Sequence, residues 1–478
     1  MKVTDHQNTK IVATVGPACS SYENLLELVK AGVDVFRLNF SHGTHDDHGK
    51  VIDHILSINK EYGLHVSILA DLQGPKLRVG QMEGDGLTVE EGQIITFTNE
   101  ECVGNAEKIY MSYPEFARDV KVGERVLVDD GTLVFEVVET NNVNQVKLKT
   151  IFGGVLKSRK GVNLPNTDIS LPSLTKKDLV DLEYILTKPV NWIALSFVRH
   201  QKDLKDLKER LDAVNHPAKI IAKVEKPEAI ERIDKIIKHS NGIMVARGDL
   251  GIEVPMKRLP VLQKEIIRKC IQRARPVIVA TQMMDSMIRN PFPTRAETTD
   301  VANAVLDGAD AVMLSGETSV GRHPVKVVKE MNAIIEEAEK IFHDEDRKRP
   351  QPSPKSRTFT SDVICAGAVQ AAEGIGAKAI IGMTSSGYTA FKLSSFRPNA
   401  KTYIFSDLPH MLSTLNLCWG VRCYHYDGFE STDDTILDVV NILKEDKKLQ
   451  EGDLVVNTAS MPIQRRYRTN MIKVTEVE

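Results

Sequence analysis

Short apolar runs alternate with amphipathic helical segments through the first two thirds of the chain, and this alternation restricts the fold more than any other feature. The runs are Ile11–Val15, Val33–Leu38, Val66–Ala70, Trp192–Phe197, Lys219–Val224, Gly242–Ala246, Pro276–Ala280 and Ala309–Leu314. They are continuously apolar, which is typical of parallel strands that are covered on both faces. Eight such strands separated by helices predict a closed (β/α)8 barrel, the TIM barrel, with its helices outside.

Length and composition exclude several classes of protein. A chain of 478 residues is too long for a single core and predicts two or three domains. The formal net charge of −3 gives no basic footprint for nucleic acid, and no apolar run reaches the length of a membrane span. The six cysteines have no metal-site or disulfide spacing, and the N-terminus lacks the apolar segment of a signal peptide. We therefore expect a cytoplasmic protein without a nucleic-acid or membrane partner.

Two departures from the barrel pattern predict further domains. The connection after the third strand runs from Leu72 to Pro172, far beyond an ordinary barrel loop, and contains β-rich pieces such as Ile94–Thr98 and Arg125–Val128. We interpret it as an inserted small β-barrel at the barrel rim, where it can act as a lid. A Pro- and Lys-rich linker, Arg347–Arg357, precedes the alternating helices and strands of a C-terminal α/β domain. The predicted boundaries are 1–72 and 166–345 for the barrel, 73–165 for the lid and 346–478 for the C-terminal domain.

Polar side chains follow most of the predicted strands, at the end where a parallel barrel keeps its active site. They are Arg37, Asn39, Ser41, Asp71, Ser196, Lys223, Glu225, Arg247, Asp249, Thr281, Ser315 and Glu317. Because residues two apart in a strand point the same way, Lys223 and Glu225 are predicted to share a face, as are Arg247 and Asp249. Buried carboxylates and cations are costly unless they pair or bind something, which predicts a divalent metal and an anionic substrate. The alternative is that these side chains only cap the following helices.

Two glycine-bearing turns have features of phosphate-binding segments. Residues 154–161 (GVLKSRKG), the return leg of the predicted lid, are basic. Residues 384–389 (TSSGYT) combine hydroxyls with the start of a helix, where free backbone N–H groups can hold a phosphate. The alternatives are a solvated turn for the first segment and a helix cap without ligand for the second.

Five longer motifs occur in a fixed order, and together they resemble pyruvate kinase. They are TKIVATVGP (9–17), RLNFSHG (37–43), MVARGDLG (244–251), ATQM (280–283) and MLSGET (313–318). The resemblance covers essentially the whole chain. It implies transfer of a phosphoryl group from phosphoenolpyruvate to ADP, giving pyruvate and ATP, and a homotetramer in which Pro291–Glu297 lies at a subunit contact.

The resemblance also implies roles for individual residues. Glu225 and Asp249 would hold Mg²⁺ or Mn²⁺, and Lys223 and Arg37 would contact the transferring phosphoryl group. The amides around Gly248 and Asp249, with the Thr281 hydroxyl, would hold the substrate carboxylate. Thr281 would also relay a proton to the enolate through a bound water, and Ser196 would be a further substrate contact. The nucleotide would be bound by Asn39, His42, Arg78 and Lys160.

The chain departs from the common family pattern near a monovalent-cation site. Many members hold K⁺ with residues matching Asn39, Ser41, Asp71 and the carbonyl of Leu72, and those members carry Glu where this chain has Lys76. An ammonium there could supply the positive charge of K⁺ and repel the ion. We therefore predict that K⁺ is not required. The alternative is that Lys76 is a solvated loop lysine.

The C-terminal domain resembles the effector domain of the family. Thr384, Ser386 and Thr389 match its phosphate-binding turn, and a nearby segment carries Arg465, Arg466 and Arg468. These features predict a phosphorylated allosteric effector of unspecified identity.

Two other functions are weighed against the kinase. One is a metal-dependent enolpyruvate carbon–carbon lyase on a related barrel, against which the nucleotide set with Arg78 and Lys160 argues. The other is a sensor of phosphorylated metabolites without catalysis, against which the set of Lys223, Glu225, Asp249 and Thr281 argues.

Overall fold

The first part of the chain follows the predicted alternation in the computed structural model, which describes residues 7–342, 349–428, 431–462 and 467–478. Helices α1 and α2 begin at side-chain caps from Ser21 and Thr44 and end at Gly32 and Gly63, whose positive φ suits glycine. These elements are β1 (Lys10–Thr14), α1 (Tyr22–Ala31), β2 (Val35–Asn39), α2 (His45–Tyr62) and β3 (Ser67–Asp71).

The lid domain follows β3 and has its own hydrophobic core, in which Phe97, Phe116 and Phe135 are buried. Its main sheet has the order β11-β7-β8-β9-β5-β6, and β10 pairs with β4. The strands predicted at Ile94–Thr98 and Arg125–Val128 are present as β5 and β7. The elements are β4 (Leu87–Val89), β5 (Ile94–Thr98), β6 (Lys108–Tyr110), α3 (Phe116–Asp119), β7 (Arg125–Val128), β8 (Leu133–Thr140), β9 (Gln145–Phe152), β10 (Gly154–Leu156) and β11 (Val162–Asn163).

The chain then returns to the barrel and completes it. The barrel elements are α4 (Lys176–Ile185), β12 (Trp192–Leu195), α5 (Gln201–Ala213), β13 (Lys219–Val224), α6 (Pro227–Glu231), α7 (Ile233–His239), β14 (Gly242–Ala246), α8 (Arg247–Glu253), α9 (Leu259–Gln272), β15 (Val277–Ala280), α10 (Arg295–Leu306), β16 (Ala311–Leu314), α11 (Gly316–Ser319) and α12 (Pro324–Lys340). In the described part of the chain eight parallel strands close in the order β1-β16-β15-β14-β13-β12-β3-β2. The predicted TIM barrel is therefore confirmed, and its functional groups are expected at the carboxyl ends of these strands.

Two local predictions are wrong. The stretch Pro227–Ile237 between two barrel strands is helix-like in sequence and predicts one helix, but the structure divides it into α6 and α7, which meet at Arg232. Arg247 and Asp249 do not share a strand face, because the chain is already helical at Arg247. In a helix of 3.6 residues per turn, residues two apart point roughly 200° away from each other.

The C-terminal domain packs against the amino ends of the barrel strands, away from the expected active-site face. The indole N–H of Trp192, the first residue of β12, donates to the Thr414 carbonyl at 3.2 Å, and Arg397 pairs with Asp310 just before β16 at 2.9 Å. The domain sheet has the order β19-β18-β17-β20-β21, with only β21 antiparallel among its described strands. The elements are α13 (Phe359–Gly374), β17 (Ala379–Met383), α14 (Tyr388–Ser395), β18 (Lys401–Ser406), α15 (Pro409–Leu415), β19 (Val421–His425), α16 (Thr432–Glu445), β20 (Leu454–Ala459) and β21 (Met471–Glu476).

None of the helices in the described ranges combines the length and apolar character needed to cross a membrane.

Candidate active site at the carboxyl ends of the barrel strands

Lys223, at the end of β13, is the central cation of the candidate site. Its ammonium lies 2.9 Å from Glu225 Oε1 and 3.3 Å from Asp71 Oδ1, and it donates to Ser196 Oγ at 2.7 Å. Burial alone would lower the pKa of Lys223, but the charges of Asp71 and Glu225 outweigh it and raise the pKa above its ordinary value. The ammonium is therefore charged across the physiological pH range.

Arg37, on β2, shares the Asp71 carboxylate with Lys223. Arg37 Nε donates to Asp71 Oδ2 at 2.7 Å, and its terminal nitrogen donates to Thr14 Oγ1 at 3.0 Å. Burial would raise the pKa of Asp71, but the Lys223 and Arg37 charges dominate and lower it. Asp71 is thus a fixed anion that holds two cations side by side.

Sequence reasoning missed this arrangement around Asp71. It placed Asp71 among the strand-end groups and in the monovalent-cation site, but it did not pair Asp71 with Arg37 and Lys223, and it did not select Thr14. A signal for Thr14 was present in the sequence. It is a polar residue near the end of the first apolar run, and the selected residues likewise lie at or just after the ends of their apolar runs.

Glu225 and Asp249 form an acidic pair beside Lys223. Glu225 is buried and its Oε2 accepts the Phe197 amide at 2.7 Å. Burial raises the pKa of the Glu225 carboxyl, Lys223 opposes this, and the nearby Asp249 charge raises it further, so the net direction is upward. Within the described ranges the Asp249 carboxylate has neither a hydrogen bond nor an ion pair, and no group of three or more His, Cys, Asp or Glu side chains converges as a metal site. A cation bound by Glu225 and Asp249 would therefore need its other ligands from substrate or water.

Arg247 lies apart from this pair. It donates to Asp300 at 2.6 Å and to the Thr281 carbonyl at 2.8 Å. Its guanidinium therefore fixes the loop after β15, although Arg247 lines the same cavity as Asp249.

Thr281, directly after β15, is held in a strained conformation. Its φ is 71°, which is rare for a β-branched residue, and Gln282 follows with a φ of 53°. The hydroxyl donates to the Ala280 carbonyl at 2.6 Å and accepts the Gly248 amide at 2.6 Å. A Cβ added to Gly248 would lie only 3.3 Å from Thr281 Oγ1, so glycine permits this close approach.

The four positions expected around a monovalent cation are largely engaged with the protein itself. The Leu72 carbonyl accepts Ser196 Oγ at 2.7 Å, and Asn39 Oδ1 accepts the Ser41 amide at 3.1 Å. The Asp71 carboxylate faces Arg37 and Lys223, as described above. These oxygens therefore have partners without an added ion.

Lys76 and the lid face the acidic side of the site. Lys76 is exposed and, together with Asp130 of the lid and Asp249, lines a cavity between the two domains. Asp130 was not selected from the sequence, although the Asp-Asp-Gly turn at residues 129–131, with positive φ throughout, was a signal for a special loop.

The predicted nucleotide residues fall into two pairs. Asn39 and His42 line a cavity of about 1090 Å³ together with Arg37. Arg78 and Lys160 are not among its lining residues and lie on the lid. There Arg78 donates to the Arg159 carbonyl at 3.0 Å, and Lys160 pairs with Asp129 at 2.9 Å.

The predicted effector turn lines a cavity of about 530 Å³ in the C-terminal domain. Thr384 Oγ1 accepts the Gly387 amide at 2.9 Å, and the hydroxyls of Thr389 and Thr469 lie 2.6 Å apart. Ser386 and Arg468 line the same cavity, whereas Arg465 and Arg466 lie outside the described residues.

Comparisons with known proteins agree with one another along nearly the whole chain. Residues 6–328 match the family described as "Pyruvate kinase, barrel domain", and residues 362–475 match "Pyruvate kinase, alpha/beta domain". A pyruvate kinase of Corynebacterium glutamicum is 42% identical over 98% of this chain and 97% of its own length. One of Geobacillus stearothermophilus is 40% identical over 98% of this chain and 80% of its own length.

A solved structure agrees with these sequence matches. The crystal structure of a pyruvate kinase from Cryptosporidium parvum superposes with a TM-score of 0.90 at 33% identity, covering 99% of this chain and 97% of the other. Family matches, relatives and three-dimensional fold all lead to one conclusion: the chain belongs to the pyruvate kinase family.

Proposed function

We infer that the protein transfers the phosphoryl group of phosphoenolpyruvate to ADP, giving pyruvate and ATP, in the last step of glycolysis. The observation that carries this inference is the pair of cations, Lys223 and Arg37, held on the Asp71 carboxylate beside Glu225. Phosphoryl transfer depends mainly on positioning and on stabilising charge at the phosphoryl oxygens. Two fixed cations at the carboxyl end of the barrel meet this requirement.

We propose that Glu225 and Asp249 hold a divalent cation, Mg²⁺ or in its place Mn²⁺. Two neighbouring carboxylates, one of them without a protein partner in the described ranges, repel each other, and a cation between them would relieve this repulsion. The bound ion would supply charge neutralisation and orientation for substrate oxygens. Mg²⁺ is commonly held by a small number of protein carboxylates together with oxygens of a substrate phosphate.

The substrate contacts follow from the same groups. Lys223 and Arg37 would bind the phosphoryl oxygens, and Ser196 would keep the ammonium in place through its hydrogen bond. The amides of Gly248 and Asp249 with the Thr281 hydroxyl would hold the substrate carboxylate, which would replace the present contact of Gly248 with Thr281. The enolate formed by transfer needs a proton at carbon, and we propose that Thr281 relays it through a water.

We propose that the nucleotide spans the barrel and the lid. Asn39 and His42 lie in the large cavity beside Arg37, and Arg78 and Lys160 would reach the phosphates from the lid. Closure of the lid would exclude water from the transfer.

We propose that catalysis does not need K⁺. Support comes from Asp71 Oδ2 and the Leu72 carbonyl, which already have protein donors, and from the extra positive charge of Lys76. Turnover should persist when K⁺ is exchanged for tetramethylammonium at constant ionic strength, and Lys76→Glu should make the enzyme K⁺-dependent. Lys76→Met is the size-matched control, and a wild-type rate that collapses without K⁺ would refute the proposal.

Regulation and assembly are proposed on the resemblance to the family. The turn with Thr384, Ser386 and Thr389 would bind a phosphorylated effector. The enzyme would be a cytoplasmic homotetramer. The barrel would comprise residues 1–72 and 166–345, the lid residues 73–165, and the C-terminal domain residues 346–478. Binding measurements with sugar monophosphates, sugar bisphosphates and AMP test the effector, and no response to any of them would leave the turn as a helix cap.

An assay coupled to lactate dehydrogenase tests the main function. Pyruvate should form from phosphoenolpyruvate only when both ADP and Mg²⁺ or Mn²⁺ are present, with one ATP formed per pyruvate. Pyruvate formation without ADP would contradict the proposed transfer.

A further inference from the structure

A further buried carboxylate, Glu253, lies at the junction of barrel and lid. Its Oε1 receives two donors, the Lys226 ammonium at 2.6 Å and the Asn163 side-chain amide at 2.8 Å. Its Oε2 is buried and has no hydrogen-bond partner among the described residues. Lys226 and Glu253 are both almost completely buried.

Lys226, Glu253 and Asn163 belong to three different elements around the candidate metal site. Lys226 directly follows Glu225, at the carboxyl end of β13. Glu253 lies four residues after Asp249 in α8, and residues at this spacing occupy the same helix face. Asn163 belongs to β11 of the lid. The three side chains therefore join the two carboxylates of the candidate metal site to the lid.

Stability alone is a weak explanation for this arrangement. Removing two charges from water costs more than their attraction often returns, and well-packed apolar residues of similar volume are frequently as stable. The orphaned Glu253 Oε2 adds a further cost. Buried charges of this kind are best attested where they fix a particular geometry.

We propose that Glu253 is a positioning residue that sets the separation of Glu225 and Asp249 and makes it depend on the docking of the lid. The proposal rests on the proposed metal-dependent function. Lys226 holds α8 against the end of β13, so the carboxylate of Asp249 stays beside that of Glu225. Asn163 adds its hydrogen bond only while β11 lies against α8, so the same contact couples lid position to metal affinity.

The double variant Lys226→Met with Glu253→Leu separates positioning from stability. It replaces the buried ion pair with apolar side chains, so its thermal stability should stay close to that of the wild type. Its affinity for Mn²⁺, measured without substrates by electron paramagnetic resonance, should fall about 10- to 100-fold, as outer-shell substitutions do at other metal sites. Unchanged Mn²⁺ affinity in the double variant would overturn the proposal.

Asn163→Ala tests the coupling to the lid while the ion pair stays intact. Mn²⁺ affinity should fall several-fold, and the metal concentration for half-maximal activity should rise while kcat at saturating metal changes little. Equal Mn²⁺ affinity in this variant and the wild type would exclude the lid from the arrangement.

A buried pair far from the site serves as the control. Arg397→Met breaks the Arg397–Asp310 pair and should lower stability without changing Mn²⁺ affinity. If the wild type binds no Mn²⁺, the proposed metal-dependent function fails. If the wild type binds Mn²⁺ and the variants bind it equally well, only the role of Glu253 fails.

Discussion

At the scale of single residues, the candidate site is a series of neighbouring charged groups, and each group determines the charge state of the next. Asp71 is an anion because Lys223 and Arg37 outweigh the effect of its burial on the pKa, and Lys223 is a cation because Asp71 and Glu225 do the same for it. The uncompensated member is Asp249, whose charge adds to the raised pKa of Glu225. A divalent ion held as proposed above would neutralise this excess negative charge.

Lys223→Met should lower kcat by at least about 100- to 1000-fold, the usual effect of removing one donor that stabilises transition-state charge. Mn²⁺ binding should persist, because the substitution removes a positive charge and leaves both carboxylates. Steady-state kinetics and Mn²⁺ titration check the two effects. The exposed Lys257→Met is the control, and unchanged turnover of Lys223→Met would remove Lys223 from the mechanism.

At the scale of secondary-structure elements, helix α4 fastens both ends of the lid to the barrel. Thr175 and Asp178 form a capping box at its start. The other oxygen of Asp178 accepts the Gly74 amide at 3.1 Å, on the segment that leads into the lid. One buried carboxylate therefore joins the entry and the exit of the inserted domain.

Asp178→Ala should destabilise the protein by about 1–2 kcal/mol, as the loss of a helix cap does, and should also speed amide hydrogen exchange near Gly74. Mass spectrometry of exchanged peptides measures the second effect. Ser431→Ala removes the cap of α16 in the C-terminal domain and should leave exchange at Gly74 unchanged. Equal exchange in wild type and Asp178→Ala would show that this carboxylate does not fasten the lid.

At the scale of the whole molecule, a cavity of about 480 Å³ between the barrel and the C-terminal domain is lined by Lys10, His65, Arg422, His425 and Lys448. Two carboxylates, Asp34 and Asp446, line the same cavity. Burial, together with a smaller contribution from the charge of His425, lowers the pKa of His65 from its ordinary 6.5 to about 4. His65 is therefore neutral in the folded protein at physiological pH.

This shift predicts a pH dependence of stability. Between pH 6.5 and about 4 the unfolded chain binds a proton at His65 that the folded protein does not, so stability falls as the pH falls through this range. His65→Gln should reduce that loss at pH 5 and leave stability at pH 8 nearly unchanged. Thermal denaturation at the two pH values is the measurement, and an identical pH profile for both proteins would contradict the assigned pKa.

The fold could be predicted from the sequence in most of its elements because its signals are local. Apolar runs such as Gly242–Ala246 and turn residues such as Gly32 each specify their own segment, and β14 has the predicted bounds. Prediction failed at Arg247, because β14 ends at Ala246 and α8 begins at the next residue. The alternation of side chains in a strand was therefore extended to Arg247 and Asp249, where the chain is helical. Prediction also failed at Arg232, where the expected helix is interrupted.

The candidate site was predictable in its residue types but not in its contacts. That polar groups meet at one end of the barrel follows from the parallel strands alone. Which oxygen receives which cation depends on segments that are distant in sequence: Arg37 and Asp71 are 34 residues apart, and Asn163 and Glu253 are 90 apart. No local pattern carries that information.

By itself, therefore, the sequence determined the barrel, the position of the lid and the strand ends at which charge collects, because backbone alternation and burial act over a few neighbouring residues. Only the tertiary structure decided that Asp71 holds two cations, that Asp249 lacks a protein partner in the described ranges, and that Glu253 connects barrel to lid. The reason is that the energy of a buried charge depends on every group within a few ångströms, and only closure of the barrel and docking of the lid bring those groups together.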